Sequence, residues 1–183
     1  MLYFAYGSNL LTARLRARCA SARVVGTARL EGFHVAMAKQ SWRDPSGKAT
    51  ILEGGAAEGV VFELSEADLA TLDAIEGVGK GYDRCAVAVD LRAERVGAVT
   101  YIATDPQPGL VPFDWYLALV LAGAAEHGLA GVRAAMAHQV HSPDPDPARP
   151  GHVMAIEALR AAGHTNWRRL LPAQDGAASN SSS

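Results

Sequence analysis

The sequence predicts an α+β fold, because strand-like segments dominate its first two thirds and helix-like segments its last third. Short apolar runs bounded by Gly-containing turns recur as far as residue 103. Beyond residue 112, apolar residues instead follow helical spacing. A length of 183 residues suits one domain, which we assign to residues 1–172. The tail at 173–183 is rich in Ala, Gly, Ser and Asn and is expected to be disordered.

The N-terminal part of the chain predicts a strand, a helix and two hairpins. Residues 2–6 are apolar and aromatic, as in a buried strand. Residues 10–18 have the apolar spacing of an amphipathic helix. The hairpin strands are expected at residues 22–30, 33–38, 50–53 and 59–64, with turns at Glu31-Gly32 and Gly54-Gly55.

A helix with well-defined ends is predicted next. Ser65 and Asp68 have the spacing of a capping box, in which an N-cap serine precedes an acidic residue by three positions. Leu64 and Leu69 lie where a hydrophobic staple places its two apolar residues. Gly77 opens a glycine-rich segment, and glycine commonly ends helices. The helix is therefore expected to end at or close to residue 76.

The remaining elements are one hairpin and three helices. The strands are expected at residues 85–91 and 98–103, and the helices at 113–127, 129–140 and 152–162. The Pro-rich stretch at 142–150 is interpreted as an extended loop between the last two helices.

The turn Tyr6-Gly7-Ser8-Asn9, between the first strand and the first helix, is the most informative stretch for function. A small-residue connection of this kind leaves several backbone N–H groups pointing the same way. Such a turn can bind an anion or a polarised carbonyl oxygen. Asn9 is a preferred N-cap residue, so its side chain either caps the helix or contacts a ligand. The alternative is a plain strand–turn–helix connection.

Glu76 occupies an unusual position for a carboxylate. It is predicted to be the last helical residue, where the negative end of the helix dipole repels negative charge. A carboxyl group at such a site, beside a glycine-rich loop, suits general acid–base catalysis near neutral pH. The alternative is a solvated glutamate at a frayed helix end.

Together these motifs resemble the gamma-glutamylcyclotransferase family, in the branch that acts on gamma-glutamyl amino acids. The resemblance extends over roughly residues 2–140 and includes Tyr6-Gly7-Ser8-Asn9, Glu76-Gly77 and Gly81-Tyr82. The other matching segments are Ala28-Arg29-Leu30, Ala49-Thr50-Ile51, Gly59-Val60-Val61-Phe62, Leu72–Val78 and the helix around Tyr116.

The resemblance implies a small mixed or antiparallel β-barrel with surrounding helices, and the Tyr6–Asn9 turn and Glu76 at one end of it. It also implies a cofactor-free reaction in which the α-amine of a gamma-glutamyl compound attacks its own γ-carbonyl and leaves 5-oxoproline. Glu76 is the implied general acid and base. The implied substrate-binding residues are Tyr6, Gly7, Ser8, Asn9, Tyr82 and Tyr116.

Two alternatives to this function stay open. The first is the same chemistry on a gamma-glutamyl amine or a gamma-glutamyl-protected biosynthetic intermediate. The variable loops at 40–48 and 104–112 are expected to receive the leaving group. A non-catalytic ligand-binding module of the same fold is the second alternative. Glutathione fits less well, because the first helix departs from the glutathione-specific branch.

Composition argues against several partners. A net charge of -2 gives no reason to expect binding to nucleic acid or to an anionic membrane. The one basic cluster, formed by Arg14, Arg16 and Arg18, is interpreted as a solvated helix face. The partner expected is a small gamma-glutamyl molecule, and the sequence leaves open whether the chain forms a homodimer.

The sequence favours a cytoplasmic protein without a metal centre. It shows neither a signal-peptide pattern nor an apolar run of the ~20 residues that cross a membrane. Cys19 and Cys85 lack metal or redox spacing and are expected to be reduced. His138 and His141 have i, i+3 spacing but no evident third ligand, so no metal site is predicted.

Overall fold

Five strands form a closed barrel in the computed structural model, which describes residues 1–174. They are β1 (Leu2–Ala5), β2 (Arg23–Gln40), β3 (Gly47–Glu63), β4 (Tyr82–Leu91) and β5 (Glu94–Ala103), in the spatial order β1-β3-β2-β4-β5. Neighbouring strands are antiparallel except β1 and β5, which pair in parallel at Tyr3 and Val99 and close the barrel. The predicted α+β class and mixed barrel are confirmed.

Helices surround this barrel. They are α1 (Thr12–Arg16), α2 (Glu66–Glu76), α3 (Asp114–Glu126), α4 (Ala130–Met136) and α5 (Pro150–Ala161), with 3-10 turns at Ser8–Leu10 and Trp167–Leu170. None of the helices within residues 1–174 is long and apolar enough to cross a membrane. Helix α1 is shorter than predicted, and α5 begins earlier, with Pro150 at its first position, where the missing N–H costs no helical bond.

Helix α3 is buried along almost its whole length and is apolar on all sides. Its Gly123 packs against the backbone that follows the Tyr6–Asn9 turn. A Cβ atom at this position would lie 2.4 Å from the Leu11 nitrogen and 2.5 Å from the Leu10 carbonyl carbon. The glycine thus allows a close approach that fixes the turn against the core.

Strands β2 and β3 form one long hairpin, where the sequence suggested two shorter ones. Glu31-Gly32 lies within β2 and Gly54-Gly55 within β3, so both predicted turns are wrong. Gly32, Gly54 and Gly55 have φ angles of 84°, 98° and 76°, and the β2–β3 register shifts between Glu31 and Phe33. Because glycine accepts positive φ, these residues bend the strands without ending them.

Both predicted ends of α2 are confirmed. The Ser65 hydroxyl accepts from the Asp68 backbone N–H at 3.1 Å, and Gly77 ends the helix with a φ of 67°. The capping box is completed differently from the sequence pattern. The Asp68 carboxylate accepts from the Ser21 N–H at 2.7 Å, and the Ser21 hydroxyl accepts from the Ser65 N–H at 2.9 Å. These bonds anchor the start of α2 and leave Glu76 at its far end.

The disordered tail predicted for 173–183 lies outside the described residues, except for Ala173 and Gln174. The assignment of residues 1–172 to a single domain stays a prediction.

Candidate active site

Beyond the end of β1, a pocket of about 40 Å³ is lined by every residue that the sequence suggested for a site. These residues are Tyr6, Gly7, Ser8, Asn9, Glu76, Tyr82 and Tyr116. Tyr3 and Ala49 complete the wall. The strand–turn segment, the end of α2 and the start of α3 therefore converge on one point, although they are far apart in the chain.

Glu76 is held in place by two polar neighbours. Its Oε1 atom lies 3.3 Å from Asn9 Nδ2 and 3.3 Å from Arg18 Nη1. Arg18 Nη1 also donates to Asn9 Oδ1 at 3.0 Å, so the three side chains form a closed network. The Glu76 and Arg18 side chains are only 19% and 12% exposed. Glu76 is thus not the solvated glutamate of a frayed helix end, and the guanidinium stabilises negative charge on its carboxylate.

Asn9 does not cap the first helix, so that interpretation of its side chain is wrong. A 3-10 turn at Ser8–Leu10 lies between β1 and α1, and the N-cap position falls on Leu11, which makes no side-chain capping bond. Asn9 Nδ2 instead contacts Glu76 and the Tyr3 hydroxyl, the latter at 3.1 Å. Its side chain therefore orients the carboxylate.

The backbone of the turn presents unpaired donors. Within residues 1–174, the N–H groups of Gly7, Ser8 and Asn9 have no backbone or side-chain acceptor, while Leu10 N–H donates to Gly7 O at 2.9 Å and closes the turn. A Cβ atom on Gly7 would lie 3.1 Å from the Ala49 Cβ. Glycine therefore lets the turn pack closely against β3, and the free N–H groups of the turn suit an anionic oxygen.

Three tyrosines line the pocket with their hydroxyl groups bound to backbone. Tyr82 donates to the Ala49 carbonyl at 2.9 Å, and the Tyr116 oxygen accepts from the Ala49 N–H at 2.9 Å. Tyr6 donates to the Tyr101 carbonyl. Burial raises the pKa of all three hydroxyl groups, so they stay neutral at neutral pH. These bonds place Tyr82 in the wall of the pocket, attached to β3.

The pocket opens into a larger cavity of about 480 Å³, here termed the outer cleft, which shares Ser8, Glu76, Tyr82 and Tyr116 with it. One wall comes from residues 39–44, as expected for the loop at 40–48. The loop at 104–112 does not line it, which corrects the sequence-based expectation. That loop bonds to β2 and β3 instead, where Gln107 N–H donates to Ala38 O at 2.6 Å. Residues 146–154 form the other wall.

Two of the arginines interpreted as a solvated face are part of the site, so that interpretation is wrong for Arg14 and Arg18. Arg14 is 7% exposed, and its Nε atom donates to the Ser8 hydroxyl at 3.2 Å. Arg18 bonds to Asn9 and Glu76, while Arg16 alone is exposed. The i, i+4 spacing of Arg14 and Arg18, which puts both on one face of the helix predicted at residues 10–18, was the available signal.

The chain matches one family and several relatives. The family described as gamma-glutamyl cyclotransferase, AIG2-like, matches residues 3–117. Gamma-glutamylcyclotransferase of Bos taurus is 36% identical over 141 residues, which cover 70% of this chain and 72% of that protein. The Homo sapiens gamma-glutamylcyclotransferase is 35% identical over 138 residues, with the same coverage of 70% and 72%.

Solved structures agree with these matches. A gamma-glutamyl cyclotransferase structure superposes with a TM-score of 0.73 at 27% identity, covering 87% of this chain and 98% of that one. An uncharacterized Homo sapiens protein superposes with a TM-score of 0.67 at 31% identity, covering 79% and 89%. Because the family match spans more than half of the sequence and the relatives agree in both sequence and structure, this chain belongs to the gamma-glutamyl cyclotransferase family of enzymes.

Proposed function

We propose that this protein converts a gamma-glutamyl compound into 5-oxoproline and a free amine, the amine being an amino acid or a simpler amine. The observation that carries this proposal is the position of Glu76. Its carboxylate is fixed by Asn9 and Arg18, at 3.3 Å from each, in the same pocket as the free N–H groups of the turn. A base and a set of hydrogen-bond donors thus line one small pocket, as an intramolecular acyl transfer requires.

Glu76 acts first as the base. It removes a proton from the substrate α-ammonium group, because only the neutral amine can attack. The amine nitrogen forms a bond to the γ-carbonyl carbon and closes a five-membered ring. When the original amide C–N bond breaks, the protonated Glu76 gives its proton to the leaving nitrogen. The second proton lost by the ring nitrogen also passes to the released amine, which leaves as an ammonium ion. The carboxylate is restored, and the net reaction consumes no water.

The turn supplies the binding groups. The N–H groups of Gly7, Ser8 and Asn9 are positioned to bind either the γ-carbonyl oxygen as it becomes negative or the substrate α-carboxylate. Tyr6, Tyr82 and Tyr116 shape the pocket around the folded glutamyl group. Their role is to hold the amine close to the carbonyl carbon, which is where most of the rate gain of an intramolecular reaction arises.

The reaction requires no cofactor, because nucleophile and electrophile belong to the same molecule. Turnover should therefore be unaffected by a metal chelator. We place the reaction in the cytoplasm, since Cys19 and Cys85 are both free thiols. A homodimer is compatible with this proposal and is not required by it.

Mass-spectrometric detection of 5-oxoproline tests the function directly. The purified protein is incubated, with and without EDTA, with gamma-glutamyl amino acids, gamma-glutamyl amines and glutathione, against protein-free controls for spontaneous cyclisation. The expected result is 5-oxoproline formation above the control with at least one member, unchanged by EDTA. If every member binds but none yields 5-oxoproline, the protein is a binding module and the proposed reaction is wrong.

A further inference from the structure

Among the described residues, no carboxylate lies at ion-pair distance from the buried guanidinium of Arg14 in the outer cleft. The side chain is 7% exposed and lines the cavity, and its only hydrogen bond within residues 1–174 is the one from Nε to Ser8. A buried charge without an opposite charge is unfavourable, so such groups are normally paired. Arg14 therefore presents two terminal nitrogens to the cavity with no protein acceptor.

Two further cations of the same cavity also lack a carboxylate among the described residues. Lys39 Nζ donates to the Gln40 carbonyl at 2.7 Å, and Arg43 Nη2 lies 3.5 Å from the Ile75 carbonyl. Both reach the outer cleft beside the end of α2 that carries Glu76. Backbone carbonyls thus hold both charges near the reacting pocket, and the Arg43 guanidinium also lies 4.5 Å from the centre of the Trp42 ring.

The other three cations of the cleft are paired. Arg18 lies 3.3 Å from Glu76, Lys48 lies 3.0 Å from Asp44, and Arg149 lies 3.3 Å from Asp144. These pairs leave Arg14, Lys39 and Arg43 without an ion-pair partner within residues 1–174.

The cations also repel one another. Burial lowers the pKa of Arg14 to about 9. The charges of Arg18 and Arg43 add to this lowering, while Tyr116 and Glu76 oppose it, and the group stays charged at neutral pH. Burial lowers the pKa of Lys48 as well, with a contribution from Arg14. An anion bound among them would relieve this repulsion.

We infer that the outer cleft is a subsite for a negatively charged leaving group, with Arg14 as its buried anchor and Lys39 and Arg43 as flanking charges. The inference rests on the proposed function, since it places the glutamyl group in the inner pocket. The subsite selects gamma-glutamyl compounds whose leaving group is an acidic amino acid. It disfavours amines such as putrescine, whose positive charge would meet three unpaired cations.

A pair of substrates that differ by one charge tests this selectivity. Gamma-glutamyl-glutamate and gamma-glutamyl-glutamine have nearly the same shape, so kcat/KM compares their charges alone. We expect the acidic substrate to be preferred by about tenfold or more, and the putrescine derivative to be the poorest. In the double variant Lys39→Gln/Arg43→Gln, the ratio of kcat/KM for the acidic substrate to kcat/KM for the neutral one should fall towards one. Arg16→Gln, on the same helix as Arg14 but outside the cleft, should leave it unchanged.

A binding measurement separates the subsite from the reaction. N-glutaryl-glutamate and N-glutaryl-glutamine lack the attacking amine and cannot cyclise, so calorimetry reports affinity alone. The wild type should bind the acidic analogue about tenfold more tightly, and Arg14→Gln should weaken it by a similar factor, with partial recovery in Arg14→Lys. If Arg14→Gln folds poorly, the same comparison of affinities is made with Lys39→Gln/Arg43→Gln.

The outcomes distinguish the two proposals. Equal affinity of the wild type for both analogues would overturn the subsite, whether or not 5-oxoproline is formed. A charge preference that survives undiminished in both Lys39→Gln/Arg43→Gln and Arg14→Gln would also contradict the assignment. A charge preference in binding without any 5-oxoproline would support the subsite and overturn the reaction.

Discussion

The inner pocket and the outer cleft are built from different kinds of structure. The pocket lies between strand β3, the end of α2 and the buried helix α3, and its polar side chains make hydrogen bonds of 2.9–3.3 Å. The cleft is bounded by segments 39–44 and 146–154, where Trp42 is 70% exposed. Rigid elements thus hold the proposed chemistry, while loops surround the leaving group. Changes in the pocket should lower kcat, and changes in the cleft should alter KM and selectivity.

The largest effect is expected for Glu76→Gln in the inner pocket. Glutamine keeps the shape and the contact with Arg18 but cannot accept the α-ammonium proton. We expect kcat for 5-oxoproline release to fall by about 100- to 10,000-fold, with the unfolding midpoint little changed. Glu66→Gln, at the exposed start of the same helix, is the control and should retain wild-type turnover. A Glu76→Gln enzyme within a few-fold of the wild type would show that another group is the base.

A loss of stability is expected for Gly123→Ala, which tests whether the pocket depends on its rigid support. The added methyl group would overlap the backbone of Leu10 and Leu11, and overpacking of this kind costs about 1–3 kcal/mol. Urea unfolding measures the change. Gly97→Ala is the matched control, since a Cβ there meets no atom within 4 Å. If both variants unfold alike, close packing on α3 does not determine the position of the turn.

A smaller effect is expected for Asn9→Ala. The variant removes a donor to Glu76 and to the Tyr3 hydroxyl and an acceptor for Arg18, while the contact between Arg18 and Glu76 remains. Loss of one such bond corresponds to about a tenfold decrease in kcat/KM. Steady-state kinetics checks this, with the exposed Asn166→Ala as control. Unchanged kinetics in Asn9→Ala would remove Asn9 from the orienting network.

The smallest effect is expected for the stability of Asp44→Asn, a variant in the outer cleft, and this effect depends on pH. Burial raises the pKa of Asp44, but hydrogen bonds from Ser46 and the charge of Lys48 outweigh it, so the net pKa lies below the usual value. A depressed carboxylate pKa stabilises the fold above the unfolded value of ~3.9, and this contribution is lost as the pH falls through the folded pKa.

Asp44→Asn should therefore be less stable than the wild type by about 1 kcal/mol at pH 7, with the difference closing below about pH 4. Urea unfolding across this range measures it, and the exposed Asp105→Asn should show no such difference. A difference between wild type and Asp44→Asn that is constant with pH would mean that the ionised carboxylate does not stabilise the loop.

The features that the sequence predicted well depend on local chemistry. The ends of α2 follow from Ser65 and Gly77, whose capping effects extend over only a few neighbouring residues. These two residues therefore place Glu76 at the end of the helix without any tertiary information. The Tyr6–Asn9 turn follows in the same way from small residues after an apolar strand. Glu76 and the turn were identifiable for this reason, whereas Tyr82 and Tyr116 were assigned through the family resemblance.

The features that the sequence did not predict depend on tertiary contacts. Arginine side chains are usually exposed, and only packing against Ser8 and Asn9 buries Arg14 and Arg18. Gly32 was compatible with either a turn or a bulge, and pairing with β3 decided between them. The wall formed by residues 146–154 has no local signal at all, since its role depends on where α5 packs.

The parallel pairing of β1 with β5 has a consequence for biosynthesis. It joins Tyr3 to Val99, so the strand that carries the turn completes its place in the barrel only after most of the chain has left the ribosome. Helix α3, whose Gly123 packs on the same turn, is synthesised later still. Contacts between such distant parts of a chain slow folding. A nascent chain that ends before residue 103 thus contains both Glu76 and the turn, yet lacks the pocket that unites them.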